Sequence, residues 1–369
     1  MLFCMLAIGH VIEKIQAHAQ QVDEMQSFPH ENFRLLADEG LFGLHIAKRY
    51  GGSEQSFYVS AQAVEEVAKV CASTSVLLCT QALTTCLLDL GGNEEQKANY
   101  LRALVAGKYP GAFCVTEEQA GSDVSNIQTQ AVYDDGSYIL TGEKRFITNA
   151  GEAGAYLVLA RTGEHPTRGL SFFIVEATAP GVEFGECIET LGVRGSSVGA
   201  VIFNKVRVPK ENLLGIEGSG FKLLMKTFNR SRTLVGAQGV GIAKGAFQIA
   251  LDYLKARNQF GKPLSEQPMI QGMLAELGTK IVAAELLVKT ATEHIDEQTN
   301  EMEKHASMAK YYATDVAMQV TTDAVQLLGG NGFTTLYPLE RMMRDAKVTQ
   351  IYDGTNQIQR VIIARQLLK

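Results

Sequence analysis

The chain has 369 residues, 46% hydrophobic and 20% charged, with 34 basic against 40 acidic side chains and a formal net charge of −6. A chain of this length buries roughly three quarters of its unfolded surface, and its ordinary composition excludes a disordered chain, a collagen and a disulfide-stapled miniprotein. It has no basic tail and no block of like charge, so nucleic acid is not expected as a partner.

Residues 1–12 form an apolar run with no basic flank and no small-residue cleavage site. The run is too short to span a bilayer and reads as the apolar start of a helix, with no targeting segment. From about 13 to 106 the pattern is helical. Phe33, Leu35, Leu36, Leu41 and Phe42 recur at helical spacing, Gly51-Gly52 breaks the chain, and residues 61–90 are apolar nearly all round, as buried helices are. Asn93, followed by Glu94 and Glu95, marks a helix start. Of the six cysteines (Cys4, Cys71, Cys79, Cys86, Cys114, Cys187), none forms a CxxC pair or a zinc spacing with histidine, so no metal is expected. Cys71, Cys79 and Cys86 recur at helical spacing and read as small buried apolar residues. Free thiols fit a reducing compartment.

From about 112 to 216 the texture changes. Val132-Tyr133, then Asp134-Asp135-Gly136, then Tyr138-Ile139-Leu140 predicts a hairpin. Residues 156–160, 170–175 and 198–203 are further β-branched or aromatic runs. From about 217 the chain is helical again, with one long helix over 221–257 interrupted only by glycines, then helices over 271–299, 304–328, 336–347 and 355–369. No internal repeat appears.

Three motifs are set aside. Gly195-Ser196-Ser197-Val198-Gly199 fits a nucleophile elbow by letter, but a strand-like run follows the serine where that motif needs a helix. Gly239, Gly241 and Gly245 have the wrong spacing for a dinucleotide loop and suit close helix packing. Gly329-Gly330-Asn331-Gly332 either cradles a phosphate or ends a helix.

Four segments together resemble the acyl-CoA dehydrogenase family over essentially the whole chain. They are Phe113-Cys114-Val115-Thr116-Glu117 with Ala120-Gly121-Ser122-Asp123; Arg257-Asn258-Gln259-Phe260-Gly261; Gln326-Leu327-Leu328-Gly329-Gly330-Asn331-Gly332-Phe333; and Ile351-Tyr352-Asp353-Gly354-Thr355-Asn356-Gln357-Ile358-Gln359-Arg360. The resemblance implies an α+β multidomain fold: an N-terminal all-helical domain (1–111), a middle β-barrel-like domain (112–216) and a C-terminal four-helix bundle (217–369). It also implies FAD as cofactor and oxidation of a short or medium acyl-CoA to the trans-2-enoyl thioester. Electrons would go to an electron-transferring flavoprotein. The family is usually a homotetramer, and no membrane span is expected. Cytoplasm is the default location, or the mitochondrial matrix in a eukaryote.

By the same resemblance Asp353 is the catalytic base. It stands where the family's motif has glutamate, one methylene longer; the plainer alternative is a cap on the last helix. Asn229-Arg230-Ser231-Arg232 offers no competing carboxylate. Arg232 resembles the arginine that supports the active site, with a solvated helix charge as its alternative. Asn229, Gly354 and Ser122 would meet substrate. Phe113, Val115, Thr116 and Ser122 would run along the flavin and its pyrophosphate. Phe146 and Thr148 would flank the ring and its N5 edge, Phe146 standing for a usual tryptophan. Arg257, Gln259, Phe260, Gln326 and Gly330 would reach the FAD of a neighbouring subunit, while Thr355 and Gln357 hold the nucleotide end. Glu118 and Pro268 replace a usual proline and glutamine. The alternatives are a same-scaffold flavoprotein with different chemistry (an enoyl-CoA reductase, a desulfinase or a nitroalkane-type oxidase) and a non-catalytic FAD-binding homologue.

Overall fold

A computed structural model describes residues 8–369. The expected helical start over residues 1–12 falls largely outside them; the first described helix, α1, is Gly9–Met25. It is followed by α2 (His30–Asp38), α3 (Phe57–Ala68), α4 (Ala72–Gly91) and α5 over 94–105, which contains a π turn at Lys97–Leu101. Leu41 and Phe42 lie beyond α2 on a 3-10 turn. Cys71 precedes α4 in extended conformation, and Cys71, Cys79 and Cys86 are all buried free thiols. Asn93 closes a capping box with Gln96, satisfying two orphan N–H groups at the start of α5.

The middle of the chain is an eight-stranded sheet in the order β6-β7-β3-β2-β4-β5-β8, with β1 pairing β4. The strands are β1 (Gly111–Cys114), β2 (Gln130–Asp134), β3 (Ser137–Thr148), β4 (Ala155–Arg161), β5 (Leu170–Glu176), β6 (Val182–Phe184), β7 (Val198–Pro209) and β8 (Leu213–Leu214). β1 and β4 run parallel, and the expected hairpin pairs Val132 with Ile139 across β2 and β3. β4 is buried from Ala155 to Ala160, with neither face left to solvent, and only its last residue, Arg161, is charged. Leu157 and Leu159 pack with Leu87 and Leu88 of α4 and with Leu224, while Tyr156, Val158 and Ala160 join Phe173 and Phe203 in a second core.

The long helix α6 (Gly220–Ala256) ends at a small ribbon, β9 (Asn258–Gln259) with β10 (Lys262–Pro263). Helices α7 (Pro268–Asp296), α8 (Met302–Leu328), α9 (Leu339–Thr349) and α10 (Asn356–Leu367) complete the chain. Glycines let neighbours approach α6 at backbone distance. A Cβ on Gly241 would stand 2.3 Å from the Glu65 carbonyl oxygen of α3, and one on Gly239 3.0 Å from the Ala313 oxygen of α8. Two helices, Ala72–Gly91 and Gly220–Ala256, are long and apolar enough to cross a membrane, but 83% and 67% of their apolar windows are buried inside the protein, as in core helices.

Candidate active site

The loop that carries Asp353 lies between α9 and α10, and left-handed backbone shapes it. Asp353 has φ 52° and Gly354 φ 89°. The φ of Gly354 is one that L side chains rarely adopt, so glycine suits the bend, and a Cβ there would also displace the Gln359 amide nitrogen, 2.8 Å away. Donors pin the carbonyls of this bend. Gln359 Nε2 donates to the Gly354 oxygen (2.9 Å) and the Asp353 oxygen (3.3 Å), Lys310 Nζ to Gly354 (2.9 Å) and Arg232 Nε to Asp353 (3.4 Å). The neighbouring Tyr352 hydroxyl donates to Gln238 Oε1, and Gln238 Nε2 reaches Ser75 Oγ at 2.8 Å, tying the loop through α6 to α4.

The Asp353 carboxylate accepts a hydrogen bond from the Ser231 hydroxyl of α6. It does not cap α10: the Thr355 side chain does so, accepting from the Ile358 N–H at 3.3 Å. Burial pushes the Asp353 carboxyl pKa up, while Ser231, Lys310 and Arg232 pull the other way, leaving it raised. Arg232 is only 3% exposed, so it is no solvated helix charge. Burial brings its pKa down to about 10 against the pull of Asp353, and its Nη1 is buried with no hydrogen-bond partner among the described residues. Asn229, one turn from Arg232 on α6, has its Oδ1 in the same condition. A carboxylate of raised pKa next to buried cations, with a bare donor beside it, suits proton abstraction from a carbon acid.

An aromatic bridge connects this loop to the sheet. The Arg232 guanidinium lies 5.3 Å from the Phe228 ring centre, and Phe228 lies 6.0 Å from Phe113 on β1. β1 ends at Cys114, and Val115 and Thr116 follow directly at its exit. A buried ion pair fixes this exit. Lys144 Nζ donates to the Val115 carbonyl oxygen (3.1 Å) and to Glu117 Oε1 (2.7 Å), and Glu117 also accepts from the backbone of Gln128 (2.6 Å) and Thr129 (3.0 Å). Burial favours the neutral acid, but Lys144 and these hydrogen bonds hold the Glu117 pKa below its ordinary value. On β3, Phe146 has φ 56° and is 59% exposed, with Thr148 two residues on. Ser122 is exposed on the loop after β1. Threonines at the exit of β1 and the end of β3, with a large ring held out on left-handed backbone, fit a planar, hydrogen-bonding cofactor such as a flavin.

The structure therefore gathers Asp353, Gly354, Arg232 and Asn229 near Phe113. Arg257, Gln259, Phe260, Gln326 and Gly330 lie elsewhere, all exposed. Arg257 follows Arg232 by 25 residues of essentially continuous helix, roughly 37 Å at the helical rise. Asn331 Nδ2 on the Tyr253 hydroxyl (2.8 Å) keeps the glycine turn beside that end of α6. Thr355 and Gln357 flank the Asp353 loop at the start of α10, Gln357 exposed. The Gly195–Gly199 stretch leads into β7, and Ser196 is buried. Among the described residues no group of three or more His, Cys, Asp or Glu is placed to hold a metal.

Sequence reasoning passed over Ser231, Lys310, Gln238 and the Glu117–Lys144 pair. Lys310 does leave a signal: on α8 it sits in a small-residue stripe with Ala306, Ala309, Ala313 and Ala317, all buried. A lysine at such a position is a buried cation awaiting partners.

Comparison with known proteins agrees with this geometry. Residues 8–108 match the acyl-CoA dehydrogenase N-terminal domain, 112–206 the middle domain and 218–368 the C-terminal domain. The cyclohexane-1-carbonyl-CoA dehydrogenase of Geobacter metallireducens is 46% identical, covering 97% of this chain and 94% of the relative. The butyryl-CoA dehydrogenase structure from Megasphaera elsdenii superposes with a TM-score of 0.97 at 39% identity, covering 100% of this chain and 97% of that one. A chain solved in work on the electron-transferring flavoprotein of Acidaminococcus fermentans and flavin-based electron bifurcation gives 0.96 at 40% identity, covering 99% and 98%.

Proposed function

The chain belongs to the acyl-CoA dehydrogenase family, and on that premise we propose that Asp353 is the base that removes the α-proton of an acyl thioester. The enzyme oxidises an acyl-CoA to its 2-enoyl thioester with FAD and passes the electrons to an electron-transferring flavoprotein. Bound FAD supplies the hydride acceptor, and the chain's own residues supply position and charge.

The observation that carries the assignment is the Asp353 carboxyl itself: it accepts from Ser231 beside buried Arg232, while Thr355 takes the capping role. Its raised pKa brings the base nearer to that of a thioester α-carbon than an ordinary aspartate would be. The Asp353–Gly354 bend and Ser122 would face the thioester, Arg232 would hold the base loop, and Asn229 would meet the CoA arm. Val115 and Thr116, with Phe146 and Thr148, would line the flavin ring.

The exposed Arg257, Gln259 and Phe260 at the far end of α6, and Gln326 and Gly330 at the adjoining end of α8, stand too far from Asp353 to serve the same site. Their distance supports a second copy that shares its FAD site with them, in a homotetramer divided within each chain at about residues 111 and 216. The 46% identity to a cyclohexane-1-carbonyl-CoA dehydrogenase supports a six-membered alicyclic acyl group, with butyryl as the linear counterpart. Anaerobic titration of the flavin band with cyclohexane-1-carbonyl-CoA, butyryl-CoA and longer acyl-CoAs tests this. Bleaching by one group identifies the substrate, and Asp353→Asn should abolish it. A bound flavin that none of them reduces overturns the assignment.

A further inference from the structure

Lys310 lies on α8 with no exposed surface, and its ammonium reaches the loop that carries the base. Its Nζ is 2.9 Å from the Gly354 carbonyl oxygen and 2.8 Å from Asn356 Oδ1. Asn356 is in turn held by its Nδ2 on Asp315 Oδ1 (2.7 Å) and Thr314 Oγ1 (2.9 Å). One buried cation therefore grips both sides of Thr355, two residues after Asp353. The charged groups facing it are few: Asp353 on the loop, Arg232 on α6 and Asp315 on its own helix, with Glu303 acting through Arg232. Asp315 is also engaged by Arg360 Nη2 of α10 at 2.9 Å, which leaves Asp353 as a main electrostatic counterpart of Lys310.

We propose that Lys310 is a positioning residue for the reaction, fixing the Asp353–Gly354 bend and favouring the carboxylate form of the base. The proposal rests on Asp353 being the base. A buried ammonium interacts with a nearby carboxylate far more strongly than a solvated one, and it also orders the bend by its hydrogen bond. When Asp353 takes up the substrate proton, the attraction of Lys310 for the carboxylate is lost, so the lysine resists that step slightly while keeping the base ionised before it. Burial against these neighbours brings the Lys310 pKa down to about 7, so its charge changes within the working range of pH.

The test is rapid-mixing flavin reduction by a reactive acyl-CoA in Lys310→Met, Lys310→Gln and Lys310→Arg, each loaded with FAD, across pH 5 to 9. In the neutral variants the reduction rate should fall by about 10- to 100-fold, the substrate dissociation constant should change by less than about threefold, and the acid limb should move up by about one pH unit. Lys310→Arg keeps the charge, so its acid limb should stay in place even where its rate falls. An unshifted acid limb in the neutral variants overturns the proposal, as does an equal rate loss in all three with no pH change, since that is packing alone. If Lys310→Met does not fold, Lys310→Gln and Lys310→Arg carry the same comparison. Asp353→Asn separates the two claims. If it remains active, the base assignment has failed; if it is dead while Lys310→Gln behaves as wild type, only the role of Lys310 has failed.

Discussion

Ser231 and Asp353 lie 122 residues apart in the sequence and are joined by a hydrogen bond from the serine hydroxyl to the carboxylate. Ser231 therefore stabilises the charged form of Asp353, the proposed base. Ser231→Ala should raise the Asp353 pKa and shift the acid limb of kcat/KM upward by about one pH unit, since a hydrogen bond to a charged group contributes about 1.5–3 kcal/mol. The sign follows from the chemistry. The base works as carboxylate, its folded pKa already lies above 3.8, and activity is lost as pH falls through it. At pH 9 the variant should be close to wild type. A pH-independent loss would mean that Ser231 acts by packing only.

The order of textures, helical then β then helical, was legible because apolar periodicity changes at residues near 112 and 217. The proposed base and flavin segment rest on motif resemblance alone in the sequence, since a lone aspartate in a Tyr-Asp-Gly-Thr stretch carries no period. What remained hidden was tertiary pairing. Nothing in the local pattern ties Lys310 to Gly354, or Glu117 to Lys144, because those partners meet only after α8 and β3 are packed. The glycines of α6 were read correctly as packing devices, because several close glycines in a helix cost roughly 1 kcal/mol each relative to alanine and need a steric reason.

That steric reason predicts the effect of refilling one. Gly241→Ala places a methyl 2.3 Å from the Glu65 carbonyl oxygen of α3, and backbone cannot move aside cheaply. The intrinsic helix gain of alanine should be outweighed, with a net loss of about 1–3 kcal/mol. Gly272, whose Cβ position is open, is the control and should gain stability on the same substitution. Thermal melts of the two variants check the contrast.

The Thr355 cap separates stability from chemistry at the base loop. Thr355→Ala removes the acceptor for the Ile358 N–H and should cost about 1 kcal/mol. Thr355→Ser should restore the stability. Since Asp353 is not the cap, Asp353→Asn should abolish turnover with the α10 cap intact, and any loss of melting temperature then reports the buried Lys310 charge left without its counterpart.

The Lys144–Glu117 pair ties the end of β1 to β3, and removing one partner of a buried pair costs about 3–5 kcal/mol because it strands the other charge. Lys144→Met should therefore melt early and release flavin more readily on dilution, as the Val115 carbonyl loses its donor. The deficit should depend on pH. Without Lys144 the Glu117 pKa is no longer held down and rises with burial, so the variant is penalised most where glutamate must be charged. The stability gap should be larger at pH 8 than at pH 5. A gap that stays constant across that range would show that the lost contact, not the stranded carboxylate, sets the cost.

Phe260 is 94% exposed with φ 54°, at the turn between β9 and β10. A large ring held in water on left-handed backbone is unfavourable in an isolated chain, where the hydrophobic contribution of its burial goes unused. In the proposed assembly a second copy would cover it. Phe260→Ala should therefore leave the fold of the single chain intact, since the ring has no core contact to lose. It should weaken association and, if the proposed FAD site is shared between copies, the retention of FAD. Sedimentation of the variant should show smaller species at a concentration where the wild type is assembled. Flavin absorbance after gel filtration should fall in parallel and recover as protein concentration is raised. If FAD retention falls while assembly is unchanged, Phe260 contacts cofactor without joining subunits. If neither changes, the α6 end is not where the copies meet.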